Sequence, residues 1–264
     1  MLQSRQIVMT APSPPSLSDE SQTKTGSIGD LDAPNYIAWK EWAPENFGRY
    51  SRLDAAYFAA EVGFGSAVRA RVLEIGFGNG SFLAWARDVG ADIYGVELNP
   101  LLVSRACQML GDSHAFSELS TPELEKLRGT FSHIVAFDVL EHVEQGGYPA
   151  FFNRLAELLA SGGKCILRFP NGDSPFGRRI QHADPTHVTT IGSGKLIYFA
   201  QRAGFRVDAL RNPALPTSGV GLRRGLKRRL VLVTRFALES FIGALYSGRR
   251  IPFDENFTAV LIRA

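Results

Sequence analysis

The stretch Val72-Leu73-Glu74-Ile75-Gly76-Phe77-Gly78-Asn79-Gly80-Ser81-Phe82 constrains the fold more than any other part of the chain. An apolar run of strand length passes into three glycines at alternate positions and then directly into a helical pattern. Glycine tolerates backbone conformations that other residues resist and lets a ligand approach the main chain. A strand, tight turn and helix in this order put the turn at the carboxyl edge of an open α/β sheet, where such sheets bind ligands. Farther on, Gly95-Val96-Glu97-Leu98-Asn99-Pro100 sets Glu97 at the end of a second strand. A carboxylate there can accept both hydroxyls of a ribose.

The rest of the chain repeats the β-α rhythm. Strands are predicted at 71–76, 92–98, 113–117, 131–138, 163–169 and 204–210, with a last one, NFTAVLIRA, at the end of the sequence. Helices are predicted at 80–89, 100–110, 121–128, 148–160 and 193–203. Pro100 and Pro122 stand where helices begin, a position that tolerates a missing amide hydrogen. Gly90, Gly111 and Gly204 stand near helix ends. Units of this length imply a mostly parallel sheet covered by helices on both faces. Before the sheet, the aromatic segment 35–66 predicts helices that either cap the binding crevice or cover the sheet edge.

Composition excludes several classes. With 45% hydrophobic and 21% charged residues, the chain of 264 residues is an ordinary globular one. Its two cysteines, Cys107 and Cys165, lack metal-type spacing and read as buried side chains in a reducing cytoplasm. The segment 1–34, rich in Ser, Pro, Thr and Gly, lacks the apolar core of a signal peptide and reads as a flexible lead-in. No apolar stretch approaches the roughly 18 residues needed to span a bilayer. The expected location is cytoplasmic, with peripheral contact at the inner face of a membrane as a further expectation.

Two cofactor classes use a glycine turn with a strand-end acid. Dinucleotide enzymes usually show G-x-G-x-x-G/A around a pyrophosphate. Here the spacing is G-x-G-x-G, position 81 is Ser, and Glu74 precedes the turn as an awkward neighbour for a pyrophosphate. The stretch instead resembles motif I of the class I S-adenosylmethionine-dependent methyltransferases. Phe131–Val143 is similar to their motif IV in its D-V-L-E-H-V form, with Ser132-His133 replacing a usual acid. Leu158-Leu159-Ala160-Ser161-Gly162-Gly163-Lys164 resembles the L-x-P-G-G turn, with Ser161 where Pro is common. The resemblance spans about residues 70–210 and the final strand, and the arrangement Pro170-Asn171…Ser174-Pro175 followed by Asp184-Pro185-Thr186-His187 resembles enzymes of bacterial surface-polysaccharide and natural-product pathways. It implies a Rossmann-like, seven-stranded, mostly parallel sheet, with the last strand antiparallel between the fifth and sixth. It also implies S-adenosylmethionine as cofactor, with Glu74, Gly76, Gly78 and Gly80 on its methionine and ribose side. Glu97 would take the ribose hydroxyls, Leu98 would pack on the adenine, and Phe137 and Asp138 would close the methionine end. The adenine edge is expected near His114–Phe116.

Methyl transfer is a displacement at a sulfonium carbon, so catalysis is mainly placement of a nucleophile. A hydroxyl acceptor also needs its proton removed. The loops after strands four and five hold His142, Asn171, His182, Asp184 and His187. His187 is the preferred base, with Asp184 orienting it or touching substrate, and His142 is the competing base. Asn171 and His182 are expected to contact an acceptor that is a glycan or small-molecule hydroxyl. Quinone-type or other lipophilic acceptors share the D-V-L-E-H-V form, and a non-catalytic cofactor-binding scaffold stands as the alternative from another class. A metal held by His182, Asp184 and His187 is conceivable, but no further acidic cluster supports it and none is expected.

A basic insertion runs through 211–256. Residues 211–250 hold nine Lys/Arg against one Glu, so this segment carries +8 in a chain of net charge +3. Leu222, Leu226, Leu230, Val233, Ala237 and Phe241 recur at helical spacing, with Arg223, Arg224, Lys227, Arg228 and Arg229 at the start. An amphipathic helix on anionic lipid through 218–247, a helical lid or dimer surface, and a nucleic-acid patch all fit. Nucleic acid fits least, since the charge is confined to the insertion.

Overall fold

The computed structural model describes residues 33–63 and 70–264. The glycine turn follows β1 (Arg71–Ile75), an inner strand of a seven-stranded sheet. The others are β2 (Asp92–Val96), β3 (Ala115–Phe116), β4 (Phe131–Phe137), β5 (Leu159–Pro170), β6 (Phe205–Arg211) and β7 (Asn256–Arg263). Their spatial order is β3-β2-β1-β4-β5-β7-β6. The first five pair in parallel, and β7 runs antiparallel between β5 and β6. This is the expected Rossmann-like sheet with an antiparallel last strand. The chain leaves β1 towards β2 and β3 on one side and returns to β4 and β5 on the other. A crevice therefore opens at the carboxyl ends of β1 and β4.

Period-two burial puts alternate strand residues on opposite faces. Val72, Val135 and Ile166 pack beneath α2 (Arg52–Val62), α3 (Ser81–Asp88) and α4 (Pro100–Leu110), through Phe58, Phe82, Trp85, Leu102 and Ala106. Leu73, Ile134 and Leu167 face α6 (Tyr148–Leu158) and α8 (Ser193–Arg202), through Phe152, Leu155, Leu196 and Ala200. Each such side chain, once buried, contributes about 1.5–3 kcal/mol. Cys165 is buried in this core and Cys107 is half-buried on α4, both as free thiols.

Local chemistry explains the element ends. Ser51 and Asp54 form a capping box at the start of α2, and Gly63 closes it in the left-handed region. Asn99 accepts from the amides of Leu101 and Leu102 ahead of Pro100, so α4 begins where the proline predicts.

Several boundaries differ from expectation. The lead-in predicted over 1–34 lies outside the described residues except for Ala33-Pro34, which already belong to α1 (Ala33–Trp39). The third strand is two residues long, and the helix predicted at 121–128 is the single turn α5 (Pro122–Glu125). β5 begins at Leu159, because an irregularity opposite Phe131 and His133 carries Ala160–Gly163 within the strand. A short helix, α7 (Gly177–Gln181), interrupts the loop after β5. The insertion holds one helix, α9 (Leu222–Tyr246). Among the described residues no helix is long and apolar enough to cross a membrane.

Candidate active site

The turn after β1 carries Gly76 at φ +67°, Gly78 at φ +48° and Gly80 at φ +70°. A Cβ on Gly76 would lie 2.5 Å from Val139 Cγ2, and one on Gly78 would lie 2.8 Å from the Trp42 ring. Both left-handed backbone and close packing thus require glycine at these two positions. Glu97 ties the turn from outside: its carboxylate accepts the amides of Gly78, at 3.0 Å, and Asn99, at 3.1 Å. Burial raises the Glu97 pKa, against the pull of those amides. Leu98 projects beyond it, 57% exposed.

A cavity of about 510 Å³ opens over this turn, within the usual range of ligand sites. Its floor is Glu74, Gly76, Phe77, Gly78, Phe137 and Asp138; its roof is Tyr36, Trp39, Lys40 and Trp42 from the segment before the sheet; and Glu141, His142, Asp184 and His187 form one wall. Glu74 is buried, and its Oε2 has no hydrogen-bond partner among the described residues. Burial, and then the nearby Glu97 carboxylate, push its pKa well above the ordinary carboxylate range. Asp138 holds φ +57°, a strained conformation for a residue with a side chain. Its carboxylate pairs with Arg168, which also donates to the Tyr57 hydroxyl at 2.9 Å. Burial disfavours the Arg168 charge, but Asp138 and Tyr57 outweigh it and raise its pKa.

The wall is a chain of proton-bearing groups. Lys40 Nζ donates to Asp184 Oδ2 at 2.9 Å. The other oxygen, Oδ1, accepts from the Thr186 amide at 2.9 Å and from its hydroxyl at 2.6 Å. Burial opposes the Asp184 charge, but Thr186 and Lys40 bring its pKa down to about 2. His142 Nδ1 lies 2.8 Å from the Thr186 hydroxyl oxygen and 3.2 Å from the Thr186 carbonyl oxygen. The carbonyl can only accept, and the hydroxyl proton is already given to Asp184. The proton of a neutral His142 therefore belongs on Nδ1, leaving the Nε2 lone pair free. Burial, followed by the charge of His187, lowers the His142 pKa. His187 stands edge-on to His142 at 4.8 Å, with Nε2 3.7 Å from Glu141 and 3.9 Å from Asp184. Its Nδ1 has no partner among the described residues. The amides of Val188 and Thr189 bond to the Glu141 carbonyl and fix this loop against the turn after β4.

The cavity gathers Glu74, Gly76, Gly78, Phe137, Asp138, His142, Asp184 and His187. Gly80, at the start of α3, and Glu97 adjoin it through the turn. Three expectations need correction. Asn171 is buried off the cavity, with its amide nitrogen donating to the Pro252 and Asp254 carbonyls and its oxygen accepting from the Asp173 amide. His182 is exposed at the end of α7 and lines no part of the cavity. His114 stacks on Tyr94 and points to Asp92 at the opening of β2, away from the carboxyl edge, whereas Phe116 ends β3 beside Val96 at that edge, its carbonyl accepting the Glu97 amide and its side chain buried in the core. The metal trio offered by the sequence does not assemble either; Glu141, His142 and His187 instead bring one ligand atom each within 4.8 Å of the others.

Sequence reading missed Tyr36, Lys40, Glu141, Arg168 and Thr186. Glu141 lay inside the quoted D-V-L-E-H-V form, and Thr186 inside the quoted Asp184–His187 turn, so a signal existed for both. Tyr36 and Lys40 lay in the segment expected to cap the crevice or cover the sheet edge, though nothing in it singled them out, and Arg168 had no signal, because only the tertiary fold brings its side chain to the cavity.

Known proteins resemble this fold. One solved structure, a methyltransferase dependent on S-adenosylmethionine from Archaeoglobus fulgidus, is 17% identical, with TM-score 0.55 over 86% of this chain and 99% of that one. Another, from Mesorhizobium loti, is 18% identical, with TM-score 0.50 over 80% and 100%. A TehB-like methyltransferase from Corynebacterium glutamicum is 17% identical, with TM-score 0.52 over 88% and 98%. A curated thiazole synthase from Helicobacter hepaticus is 27% identical over 93 residues, 33% of this chain and only 35% of that protein. The family model described as a methyltransferase domain matches residues 47–210, from just after the aromatic roof into β6. The chain belongs to that methyltransferase-domain family, and its sheet is the Rossmann-like fold of the S-adenosylmethionine-dependent methyltransferases.

Proposed function

We propose that the chain transfers a methyl group from S-adenosylmethionine to a hydroxyl of a glycan or small molecule, with His142 as the base. The residues of the crevice suit that cofactor. Glu74, buried and unpaired at one oxygen, suits a cationic methionine end; Glu97 suits the ribose, and the exposed Leu98 suits the adenine face. When bound, the cofactor supplies an electrophilic methyl on a sulfonium. His142 Nε2 would take the acceptor's proton while the acceptor oxygen displaces the thioether at the methyl, so that the methyl–sulfur bond breaks and neutral S-adenosylhomocysteine is left. Thr186 and Asp184 keep the Nδ1–H tautomer and stabilise the imidazolium that results. The Lys40–Asp184–Thr186–His142 chain is the single observation that carries the reading.

The test is methyl transfer to a panel of glycans, sugar nucleotides and phenols, read by mass spectrometry beside calorimetric binding of S-adenosylhomocysteine. His142→Ala should bind the homocysteine product normally and lose turnover by about 10²–10⁴-fold. Full turnover in that variant would remove His142 from the mechanism. A lipophilic or quinone-like acceptor is the second reading, favoured by the rings of Tyr36, Trp39, Trp42, Phe58 and Phe137 around the cavity. Product binding without transfer to any acceptor would favour the scaffold role.

A further inference from the structure

Amphipathic helices on globular proteins normally turn their apolar side to the body. α9 does the reverse. It meets the body through Gly225, against the Thr217 carbonyl, and Gly243, against the Arg249 carbonyl. Between them Arg228 donates to the Pro216 carbonyl, Arg235 pairs with Asp254, and the buried Glu239 accepts from Asn212 and the Phe253 amide. The inward face is thus satisfied by small residues and hydrogen bonds. The outward face carries Leu222, Leu226, Leu230, Val233, Phe236 and Phe241 as large exposed side chains, from 91% exposed at Leu222 to 58% at Phe236. Surface of this extent on one element marks an interaction site.

Charge identifies the occupant. Arg223, Arg224, Lys227 and Arg229 are exposed on the first turns, and Arg249 and Arg250 are exposed just past the far end. The only acid in α9 is Glu239, which faces inward. The exposed surface of α9 is therefore apolar and cationic. A second copy docked on this face would bring like charges together, whereas anionic headgroups over an acyl boundary match both components.

We propose that α9 lies in the plane of an anionic membrane surface, with Leu222, Leu226, Leu230, Val233 and Phe241 in the acyl boundary and the basic first turns among the headgroups. The structure also links the inner side of this helix to the catalytic cavity. Phe176, ahead of α7, and Arg235 and Leu238 of α9 line a cleft with Phe253–Glu255, and the next residue, Asn256, lines the cavity, as does Ile180 of α7. Lipid docking would hold the site close to the bilayer. It does not depend on which acceptor is methylated.

Vesicle flotation of the full chain tests this, using phosphatidylcholine alone and an equal mixture with phosphatidylglycerol. The expected result is association with the mixed vesicles that weakens as salt rises and is at least about tenfold weaker on phosphatidylcholine. The triple variant L226S/V233S/F241S and the charge variant R223Q/R224Q/K227Q/R229Q should each lose association by at least about tenfold, with calorimetric binding of S-adenosylhomocysteine unchanged. That binding reads the cofactor site separately, so failure of the membrane proposal is distinguishable from failure of the proposed activity. Absence of vesicle binding, equal binding by the variants, or a dimer in sedimentation that the triple variant dissociates would overturn the proposal.

Discussion

Glu74 and Glu97 are two carboxylates at adjacent strand ends with different tasks, and their surroundings separate them. Glu97 spends its lone pairs on the Gly78 and Asn99 amides, so it shapes the turn before any ligand arrives. Glu97→Ala should weaken S-adenosylhomocysteine binding by at least about tenfold, as expected for loss of a charge-assisted contact of about 1.5–3 kcal/mol; unchanged calorimetric affinity would remove it from the cofactor site. Burial, and then the Glu97 charge, raise the Glu74 pKa well above the ordinary carboxylate range in the free protein. A cationic ligand beside it would lower its pKa again. Between the two values binding should release a proton, so affinity should rise with pH until the free-protein pKa is passed. Calorimetry in buffers of different ionisation enthalpy reads that proton directly, and Glu74→Gln should abolish it. The histidines give a second pH test. The His142 pKa is lowered from 6.5, so a neutral base persists into mildly acidic solution and the acidic limb of turnover should lie below that value. Because the His187 charge contributes to that lowering, His187→Ala should move the limb upward while leaving turnover above it. Abolished turnover at every pH would instead make His187 the base.

At the scale of elements, the β1–turn–α3 unit is the part that tolerates least change. Gly76→Ala would place a methyl against Val139 and strain a backbone at φ +67°. The expected loss is about 1–3 kcal/mol of stability, seen in denaturant unfolding, together with loss of product binding. A variant with unaltered stability and binding would mean that the turn adapts freely. This unit was also the most legible in the sequence, because glycine spacing, strand-end acids and helix-starting prolines are local signals. The mostly parallel sheet followed from the β-α rhythm, and β7 lies between β5 and β6 as the family resemblance implied. What local pattern could not convey was which polar groups the fold spends on itself. Asn171 sits in a loop that looked like a substrate site, yet its amide clamps the chain at Pro252 and Asp254, some eighty residues away in sequence. His182 and His187 are close in sequence, but the end of α7 turns one outward while the Asp184 turn holds the other inside. Lys40 reaches Asp184 only because the segment before the sheet folds back over the crevice. For α9, periodicity correctly gave the helix and its apolar stripe, but a stripe alone does not say which way it faces.

For the molecule as a whole, α9 is attached by hydrogen bonds rather than by shared core. Its supports are the chain on either side of it. Asn212 is tethered beside Arg211 and Ala214, both of which bond to the buried Glu61 of α2, and Pro252–Asp254 are held by Asn171 and Ser174. Glu239 closes the circuit by accepting from Asn212 and from Phe253. Glu239→Ala would leave both donors unpaired in a half-buried place, a loss of about 2–4 kcal/mol. Since no large apolar side chain of α9 enters either core cluster, that loss should fall on the helix and its supports. Hydrogen exchange should therefore quicken across 212–254 in the variant, while β1, β2 and β4 keep their protection and S-adenosylhomocysteine still binds. If protection falls equally in the central strands, α9 belongs to the same cooperative unit as the catalytic sheet, and a membrane force on the helix would be felt directly at the cofactor turn.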